Sequence, residues 1–210
     1  MTMYIPRKFA MDDAAVTEVL SAGGLVHLVT PGSQGLSVTP LPMVFNADRG
    51  ILLGHMARAN PHWRQCASGV ESVAIIPGPQ AYVSPSFYPT KAETGKVVPT
   101  WNYEIVTVYG EVIVHDDATW LHAQVSELTA THESGRERPW AVDDAPADFV
   151  EAQLRAIVGL EMVIDRWEGK SKLSQNQPDR NRDGVIGGLT ASSSASDNAV
   201  ARRMKATEAP

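Results

Sequence analysis

The chain has 210 residues, of which 43% are hydrophobic and 20% are charged, and it carries a formal net charge of −6. This composition is typical of one globular domain with a full core, and the negative charge argues against a broadly basic surface for nucleic acid, though not against a local basic patch. No apolar run reaches the roughly 18 residues of a membrane span, residues 1–9 lack the apolar region of a signal peptide, and Cys66 is the only cysteine, so we expect a cytoplasmic protein without disulfides.

The first third of the chain predicts a helix followed by a meander of short strands. Asp12 is placed to cap the helix, whose apolar residues recur at spacings of three and four. Turn-forming clusters separate the strands, and Pro40 and Pro42 interrupt the second strand. The predicted elements are an extended arm over residues 4–9, a helix from Asp12 to Gly23, strands over 25–30, 36–45 and 51–55, a helix over 61–69 and a strand over 70–76.

The remainder of the chain predicts extended stretches, helices and polar loops. Asp117 is placed to cap a long helix and Asp197 a final short helix, while Gly110 inside a strand predicts a bulge or a close backbone approach. The predicted elements are an extended aromatic stretch over 80–89, a polar loop over 90–96, a strand over 104–115, helices over 118–128 and 147–157, a strand over 160–167, a polar segment over 168–176, a short helix from Pro178 and a linker over 190–196.

Together these elements favour a mainly β fold with inserted helices (α+β), built as an antiparallel β-barrel. The six or seven strands are joined mostly by turns rather than by regular helical crossovers, which favours antiparallel pairing. We expect residues 1–189 to form one domain. Residues 190–210 are then a linker and a C-terminal helix that packs on the domain and frays at its end.

Residues 51–63 predict an anion-binding turn. Three aliphatic residues are typical of a strand, Asn60-Pro61 is typical of a helix start, and His55 and Arg58 lie between them. A helix start presents unpaired N–H groups and partial positive charge, and the guanidinium of Arg58 adds a fork of donors that suits a phosphate. From this stretch alone, a solvated Arg58 beside a capped helix remains the alternative.

Aromatic residues in two extended, polar stretches offer a surface for a flat ring system, because aromatic faces stack on its rings while amides and hydroxyls bond its edge. These residues are Tyr82, Phe87, Tyr88, Trp101 and Tyr103, with Ser84 and Ser86 among them. An anion site and an aromatic groove together indicate a nucleotide-like ligand. The alternative for the aromatic residues is ordinary barrel core, and the alternative for the basic residues near position 175 is a solvated face.

Motifs of several other chemistries are missing from the sequence. It contains no dinucleotide-binding glycine fingerprint, no Walker A sequence and no nucleophile elbow. His55 and His62 are seven residues apart, which is not a metal-ligand spacing on one face. No general acid or base stands out, so the sequence names no substrate.

Five segments of the chain occur in an order that is specific to one family. They are Met3-Tyr-Ile-Pro-Arg-Lys-Phe9, His55-Met-Ala-Arg-Ala-Asn-Pro-His-Trp63, Gly78-Pro-Gln-Ala-Tyr-Val-Ser-Pro-Ser-Phe-Tyr-Pro89, Val98-Pro-Thr-Trp-Asn-Tyr103 and Lys170-Ser-Lys-Leu-Ser-Gln-Asn176. In this order they resemble the PaiB family, the FMN-binding negative transcriptional regulators, over nearly the whole chain. The resemblance implies an FMN-binding split barrel of the pyridoxamine-phosphate-oxidase-like type, which is a homodimer with flavin at the subunit interface.

The resemblance also implies a set of residues that hold FMN. Arg58 occupies the place of the basic residue that holds the flavin phosphate, and His55 the place of its hydroxyl partner, where the wider group often has Lys and Ser or Thr. Phe87 stands where tryptophan is common. The implied cofactor-binding residues, some of which reach the flavin of the second subunit, are His55, Arg58, Asn60, Tyr82, Ser84, Trp101, Tyr103, Lys170, Lys172, Ser174 and Gln175.

The family resemblance implies a negative regulator of transcription, and we expect its effect to be indirect, through flavin or a small-molecule ligand. No helix-turn-helix is predicted, because the helices are separated by strands and long loops. Direct contact with DNA would need the basic residues of the last quarter, which are Lys170, Lys172, Arg180, Arg182, Arg202, Arg203 and Lys205. Two alternatives stay open: a flavin-dependent oxidoreductase, either a flavin reductase or a haem-handling enzyme, and a binding module that senses a ligand.

Overall fold

A computed structural model describes residues 3–207 of the chain. The strands are β1 Gly24–Gly32, β2 Gly35–Asn46, β3 Ile51–Ala57, β4 Ser72–Val83, β5 Thr100–His115 and β6 Ile157–Lys172. The helices are α1 Asp13–Ser21, α2 His62–Cys66, α3 Thr90–Thr94, α4 Ala118–Glu133, α5 Ala147–Arg155, α6 Asp179–Thr190 and α7 Ala195–Ala206. Three short 3-10 turns lie at Arg7–Phe9, Pro85–Phe87 and Val142–Asp144.

The six strands close into an antiparallel barrel in the order β1-β2-β3-β6-β5-β4. β1 and β2 form a long hairpin that runs from the Gly24–Met43 pair to the Gly32–Gly35 pair. β3 pairs with β6 over its whole length, with His55 opposite Gly159. The predicted α+β fold class, an antiparallel split barrel with inserted helices, is therefore confirmed.

By their internal contacts, the residues divide into two compact units. Unit one comprises the described parts of residues 1–15, 77–106 and 168–210, and unit two comprises residues 16–76 and 107–167. β4, β5 and β6 each contribute to both units. The predicted domain boundary after residue 189 stays a prediction.

The core of unit one lies between the end of β4, the end of β6 and a hairpin of α6 and α7. Its largest fully buried side chains include Leu173, Leu189 and Met204. Only residues 191–194 separate the two helices, so the expectation that all helices are separated by strands or long loops is wrong here. Ser194 caps α7, whereas we predicted Asp197 as the cap. The predicted frayed end falls partly on residues 208–210, which lie outside the described residues.

The core of unit two fills the barrel with aliphatic side chains such as Leu28, Leu52 and Leu160, which are almost fully buried. The predicted close backbone approach at Gly110 is confirmed, because a Cβ atom there would lie only 1.8 Å from the carbonyl oxygen of Val163. A side chain at position 110 would therefore force β5 and β6 apart.

Several element ends differ from their predictions for physical reasons. β2 continues through Pro40 and Pro42 without interruption, because β2 pairs with β3 only from Met43 onwards and a missing N–H donor before that point costs no hydrogen bond to β3. The predicted loop over 90–96 contains α3. The first part of the predicted polar segment over 168–176 continues β6 as a strand.

The caps at Asp12 and Asp117 are confirmed. The carboxylate of Asp12 accepts from the backbone N–H of Ala15, and that of Asp117 accepts from the backbone N–H of Trp120, each at 2.8 Å. Both caps satisfy an N–H group that the first helical turn leaves unpaired.

The glycines of α6 generate a stability prediction. A Cβ atom at Gly184 would lie 2.1 Å from the carbonyl oxygen of Phe87, whereas a Cβ atom at Gly187 meets no heavy atom of the described residues within 4 Å. We expect Gly184→Ala to lower the free energy of unfolding by about 1–3 kcal/mol through overpacking. Its matched control, Gly187→Ala, should raise it by about 0.5–1 kcal/mol, because alanine favours the helix. Urea unfolding of both variants checks this, and a loss of stability in Gly187→Ala would contradict it.

Candidate functional site

The segment from His55 to Trp63 forms the end of β3, a turn and the short helix α2. We predicted a helix over 61–69, but α2 ends at Cys66 and has only five residues. The side-chain oxygen of Asn60 accepts from the backbone N–H of His62 at 3.1 Å and so uses one of the free N–H groups at this helix start. Because α2 has only five residues and one N–H group at its start is already bonded, the case for a phosphate here depends mainly on Arg58.

Arg58 is held by four hydrogen bonds within unit two. Its Nη1 and Nη2 atoms donate to the carboxylate of Asp116 at 3.0 and 2.5 Å. Its Nε and Nη2 atoms donate to the backbone carbonyls of Arg155 and Ile157 at 2.8 and 2.9 Å. The ion pair raises the pKa of Arg58 and lowers the pKa of Asp116. The carboxylate thus occupies the fork of donors that we predicted for a phosphate.

Asn60 and His62 share the hydroxyl group of Thr39. The Nδ2 atom of Asn60 donates to this hydroxyl at 3.0 Å, and the Nδ1 atom of His62 lies 2.8 Å from it. His62 is only 2% exposed, and its Nε2 atom is buried without a hydrogen-bond partner among the described residues. Burial lowers the pKa of this imidazole. These contacts anchor the turn to β2.

His55 and Arg58 do not share a contact. The Nδ1 atom of His55 lies 2.8 Å from the Oε1 atom of Gln124 on α4. His55 lines a pocket of about 310 Å³, and Arg58 is not among the residues that line it. The structure therefore does not bring the two predicted phosphate ligands of this segment together.

Most of the remaining predicted residues lie in unit one, around Lys172. The Nζ atom of Lys172 donates to the hydroxyl of Thr100 at 2.6 Å and to the carbonyl of Trp101 at 2.5 Å. The pKa of Lys172 is lowered, mainly by partial burial and to a smaller extent by the charge of Lys170. Lys172 and Ser174 line a polar pocket of about 150 Å³ with amide and hydroxyl groups. A lysine beside amide and hydroxyl groups can bind an anion.

Two aromatic contacts lie near Lys170 and Lys172 in unit one. The rings of Tyr82 and Trp101 meet edge to face, with centroids 6.1 Å apart, and both side chains are about half exposed. The Nζ atom of Lys170 lies 5.5 Å from the ring centroid of Tyr103. Exposed aromatic faces beside a cation suit a flat anionic ligand.

Ser174 has a strained backbone, with a φ angle of 64°, the only positive φ of a non-glycine residue in the described part of the chain. Its hydroxyl exchanges hydrogen bonds with the buried side-chain amide of Asn102 at 3.0 and 3.1 Å. Gln175 fixes the same turn, since its amide bonds the backbone of Ser171 and Leu173 at 2.7 Å each. Strain held in this way is common at binding sites.

Ser84 has a structural role in the turn after β4. Its hydroxyl accepts from the backbone N–H of Ser86 at 3.2 Å and caps the 3-10 turn Pro85–Phe87. The hydroxyl of Ser84 therefore has a hydrogen-bond partner within the protein and needs no ligand to satisfy it.

Sequence reasoning missed the partners that hold these residues in place. Asp116 and Gln124 carry no local motif, and only the folded chain brings them to Arg58 and His55. It also missed the buried Glu104, which accepts from Arg203 at 2.7 Å and from Ser171 at 2.9 Å. The signal for Glu104 was its place at an inward position of a β-rich run, where a carboxylate needs a partner.

Within residues 3–207, no group of three or more His, Cys, Asp or Glu side chains could hold a metal ion. None of the helices in that range is long and apolar enough to cross a membrane.

The closed antiparallel barrel, with a polar pocket and an exposed aromatic pair in unit one, is typical of flavin-binding split-barrel proteins. Residues 3–166 match the family described as "Putative FMN-binding domain", and the chain belongs to this family. FMN is the cofactor that this membership assigns to the chain. The donor set of unit one fits it, because a lysine, neutral hydroxyl and amide donors and an exposed aromatic pair suit a phosphate and a flat ring system.

Known proteins resemble this chain in sequence and in fold. Protease synthase and sporulation protein PAI 2 of Bacillus subtilis is 29% identical over 187 residues, which cover 88% of this chain and 87% of that protein. Uncharacterized protein AN0679 of Emericella nidulans is 37% identical over 168 residues, which cover 68% of this chain and 67% of that protein. The FAD and heme binding protein of Mycobacterium smegmatis shares the fold, with a TM-score of 0.59 at 18% identity over 87% of this chain and 80% of that chain. The resemblance to PaiB is confirmed.

The buried His62 generates a prediction about pH. Because its pKa is lowered in the folded state, the unfolded chain binds a proton that the folded chain does not. The free energy of unfolding is therefore unaffected by His62 above the unfolded-state pKa of about 6.5. Below that pH it decreases, by at most about 1.4 kcal/mol per pH unit, because the unfolded chain takes up the proton. Urea unfolding at about pH 7.5 and 5.5 should show a smaller pH dependence for His62→Gln than for wild type.

The control for this experiment is His132→Gln, which removes an exposed imidazole and leaves His62 in place. An unchanged pH dependence in His62→Gln would show that the buried imidazole does not titrate between the folded and unfolded states as its burial requires.

Proposed function

We propose that this chain is an FMN-binding protein of the PaiB type whose effect on transcription is indirect, through bound flavin or a small ligand. The observation that carries the proposal is the state of the basic side chains that a DNA contact would need. Two of the seven predicted candidates, Arg180 and Arg203, are paired with carboxylates of unit one, whereas Lys170, Lys172 and Arg182 donate to neutral oxygens there. Arg202 and Lys205 are exposed on α7.

The strongest of these engagements are ion pairs. Arg180 forms a bidentate pair with Glu93 at 2.7 and 2.8 Å, and Arg203 binds the buried Glu104. A guanidinium committed to a carboxylate must break that pair before it can neutralise a DNA phosphate. The net charge of −6 also opposes DNA at long range.

The α6–α7 hairpin supports the same conclusion, although a helix pair of this kind is the element that could enter a DNA groove. The start of α7 carries Asp197, which repels phosphate, and Ser196, whose hydroxyl donates to the carbonyl of Gln80 at 2.6 Å. The end of a helix that reads bases needs free polar and basic side chains instead.

A gel-shift series with the DNA upstream of the protein's own operon tests the indirect role. We expect no complex tighter than roughly 10⁻⁴–10⁻⁶ M at physiological salt, because phosphate contacts made by few free cations weaken steeply as salt rises. The series should run from about 50 to 200 mM salt, with the protein loaded with FMN. A discrete nanomolar complex that survives the higher salt would overturn the proposal.

Arg58 is the proposed phosphate ligand in unit two. The carboxylate of Asp116 that it now holds is two-thirds exposed and can move aside, and a phosphate oxygen pair suits the same donor fork. Lys172 is the second candidate cation, in unit one.

We expect Arg58→Ala to weaken FMN binding roughly tenfold to a hundredfold, because a charge-assisted contact to phosphate contributes about 1.5–3 kcal/mol. Titration of the apo-protein followed by flavin fluorescence measures the change. Riboflavin, which lacks the phosphate, serves as the control ligand, and its affinity should not change. Asp116→Asn should bind FMN at least as tightly as wild type, since it frees the guanidinium. Equal FMN affinity in wild type and Arg58→Ala would refute the role of Arg58.

We further propose a homodimer. Tyr82 and Trp101 are 48% and 52% exposed and adjoin each other in unit one, which leaves an apolar surface that a second subunit can cover. Light scattering at micromolar concentration should give twice the 22.7 kDa of one chain. Trp101→Lys should shift the mass towards a single chain, whereas a wild-type protein of one chain's mass would refute the dimer.

The absorbance spectrum of the purified protein separates the alternatives. Flavin bands that bleach on reduction would support flavin chemistry, as in a flavin reductase, and a Soret band would support haem handling. If the protein is colourless and takes up neither cofactor, the remaining alternative is a binding module that senses a ligand.

A further inference from the structure

A pocket in unit two has no role in the function proposed so far. α4, α5 and the 3-10 turn Val142–Asp144 enclose it together with His55 of β3, and its volume is about 310 Å³. That volume lies at the lower end of the roughly 300–1,000 Å³ that is typical of small-molecule sites. Aliphatic side chains form most of its wall, among them Val125, Leu154 and Ile157.

Two aromatic side chains stand at the mouth of this pocket. Trp140 and Phe149 both line it, yet they are 48% and 56% exposed. Large apolar side chains that stay in water while they border a cavity indicate a recognition surface. Their flat faces select a ligand that is itself flat.

The residues that line the pocket also limit the charge of its ligand. None of those that the structure describes there is Asp, Glu, Lys or Arg. An ionised ligand would lose its hydration without gaining a partner of opposite charge, which is unfavourable. The polar groups available are neutral ones, the hydroxyl of Thr129 and the amide of Gln153 beside the imidazole of His55.

His55 determines which polar group the ligand must carry. The Nδ1 atom of His55 lies 2.8 Å from the Oε1 atom of Gln124, so with the amide oriented in this way the Nδ1 atom is the donor. In the neutral imidazole the Nε2 atom then keeps its lone pair and accepts a hydrogen bond. A ligand that offers an O–H or N–H donor therefore matches this side of the pocket.

We propose that this pocket binds an uncharged, flat aromatic molecule with a hydroxyl or N–H group, of the phenol or indole class. The ring system lies between the aliphatic wall and the aromatic mouth, and the donor of the ligand bonds the Nε2 atom of His55. The site is distinct from the flavin phosphate site, because an anion has no partner here.

A calorimetric titration with matched probe ligands tests the proposal. 2-Naphthol carries the donor, and 2-methoxynaphthalene has nearly the same shape without it. We expect 2-naphthol to bind with a Kd below about 1 mM and about tenfold more tightly than the methyl ether, because the ether leaves the imidazole nitrogen unpaired. Equal affinity for the two ligands, or no saturable binding of 2-naphthol, would overturn the proposal.

Variants of the protein test the role of His55 against a general loss of structure. In His55→Leu the tenfold preference for 2-naphthol should disappear, while the methyl ether keeps its wild-type affinity. The matched control His132→Leu, on the exposed side of α4, should keep the preference. A preference that survives in His55→Leu would show that another group receives the donor, contrary to the proposal.

Competition with FMN distinguishes this pocket from the flavin site. The affinity for 2-naphthol should be the same with and without saturating FMN. Displacement of 2-naphthol by FMN would assign the pocket to the flavin and overturn the proposal, whereas failure of FMN to bind at all would count only against the proposed function.

Discussion

The buried carboxylate of Glu104 is the constraint on which the arrangement of unit one depends. Glu104 is 4% exposed, and a buried charge is tolerated only when its partners are complete. Ser171 on β6 and Arg203 on α7 supply those partners, so the last helix must lie against β5 for the unit to be stable. The C-terminal helix is thus part of the core of unit one, and its arginine serves the fold before it can serve any ligand.

The same principle of local charge pairing shapes what the protein can recognise. Several of its guanidinium groups are paired with carboxylates, such as Arg58 with Asp116, Arg166 with Glu71 and Arg180 with Glu93. Exposed pairs of this kind add little stability, but they lower the positive potential that a nucleic acid would meet. Lys170 and Lys172 instead donate to neutral oxygens, so these contacts do not offset their positive charge.

Local signals were sufficient to predict a large part of the fold. The caps at Asp12 and Asp117 act over three residues, so the starts of α1 and α4 were predictable. The end of β6 was not predictable, because its last residues are polar. Ser171 is buried and the lysines on either side of it are half-buried, but this alternation is visible only once the strand is paired. The residues that hold the site escaped prediction for a related reason: Asp116 is 58 positions from Arg58, and Gln124 is 69 positions from His55.

The separation of His55 from Arg58 follows from strand geometry. Side chains alternate across a strand, so His55 and Ala57 share one face of β3 and Met56 points to the core. Arg58 lies past the end of β3, where its backbone N–H donates to the carbonyl of Ala156 at 2.8 Å and turns the chain. Its side chain then lies along the start of β6 towards Asp116, while His55 faces α4. Two positions three residues apart therefore present their side chains to different surroundings, the guanidinium to Asp116 and the imidazole to Gln124.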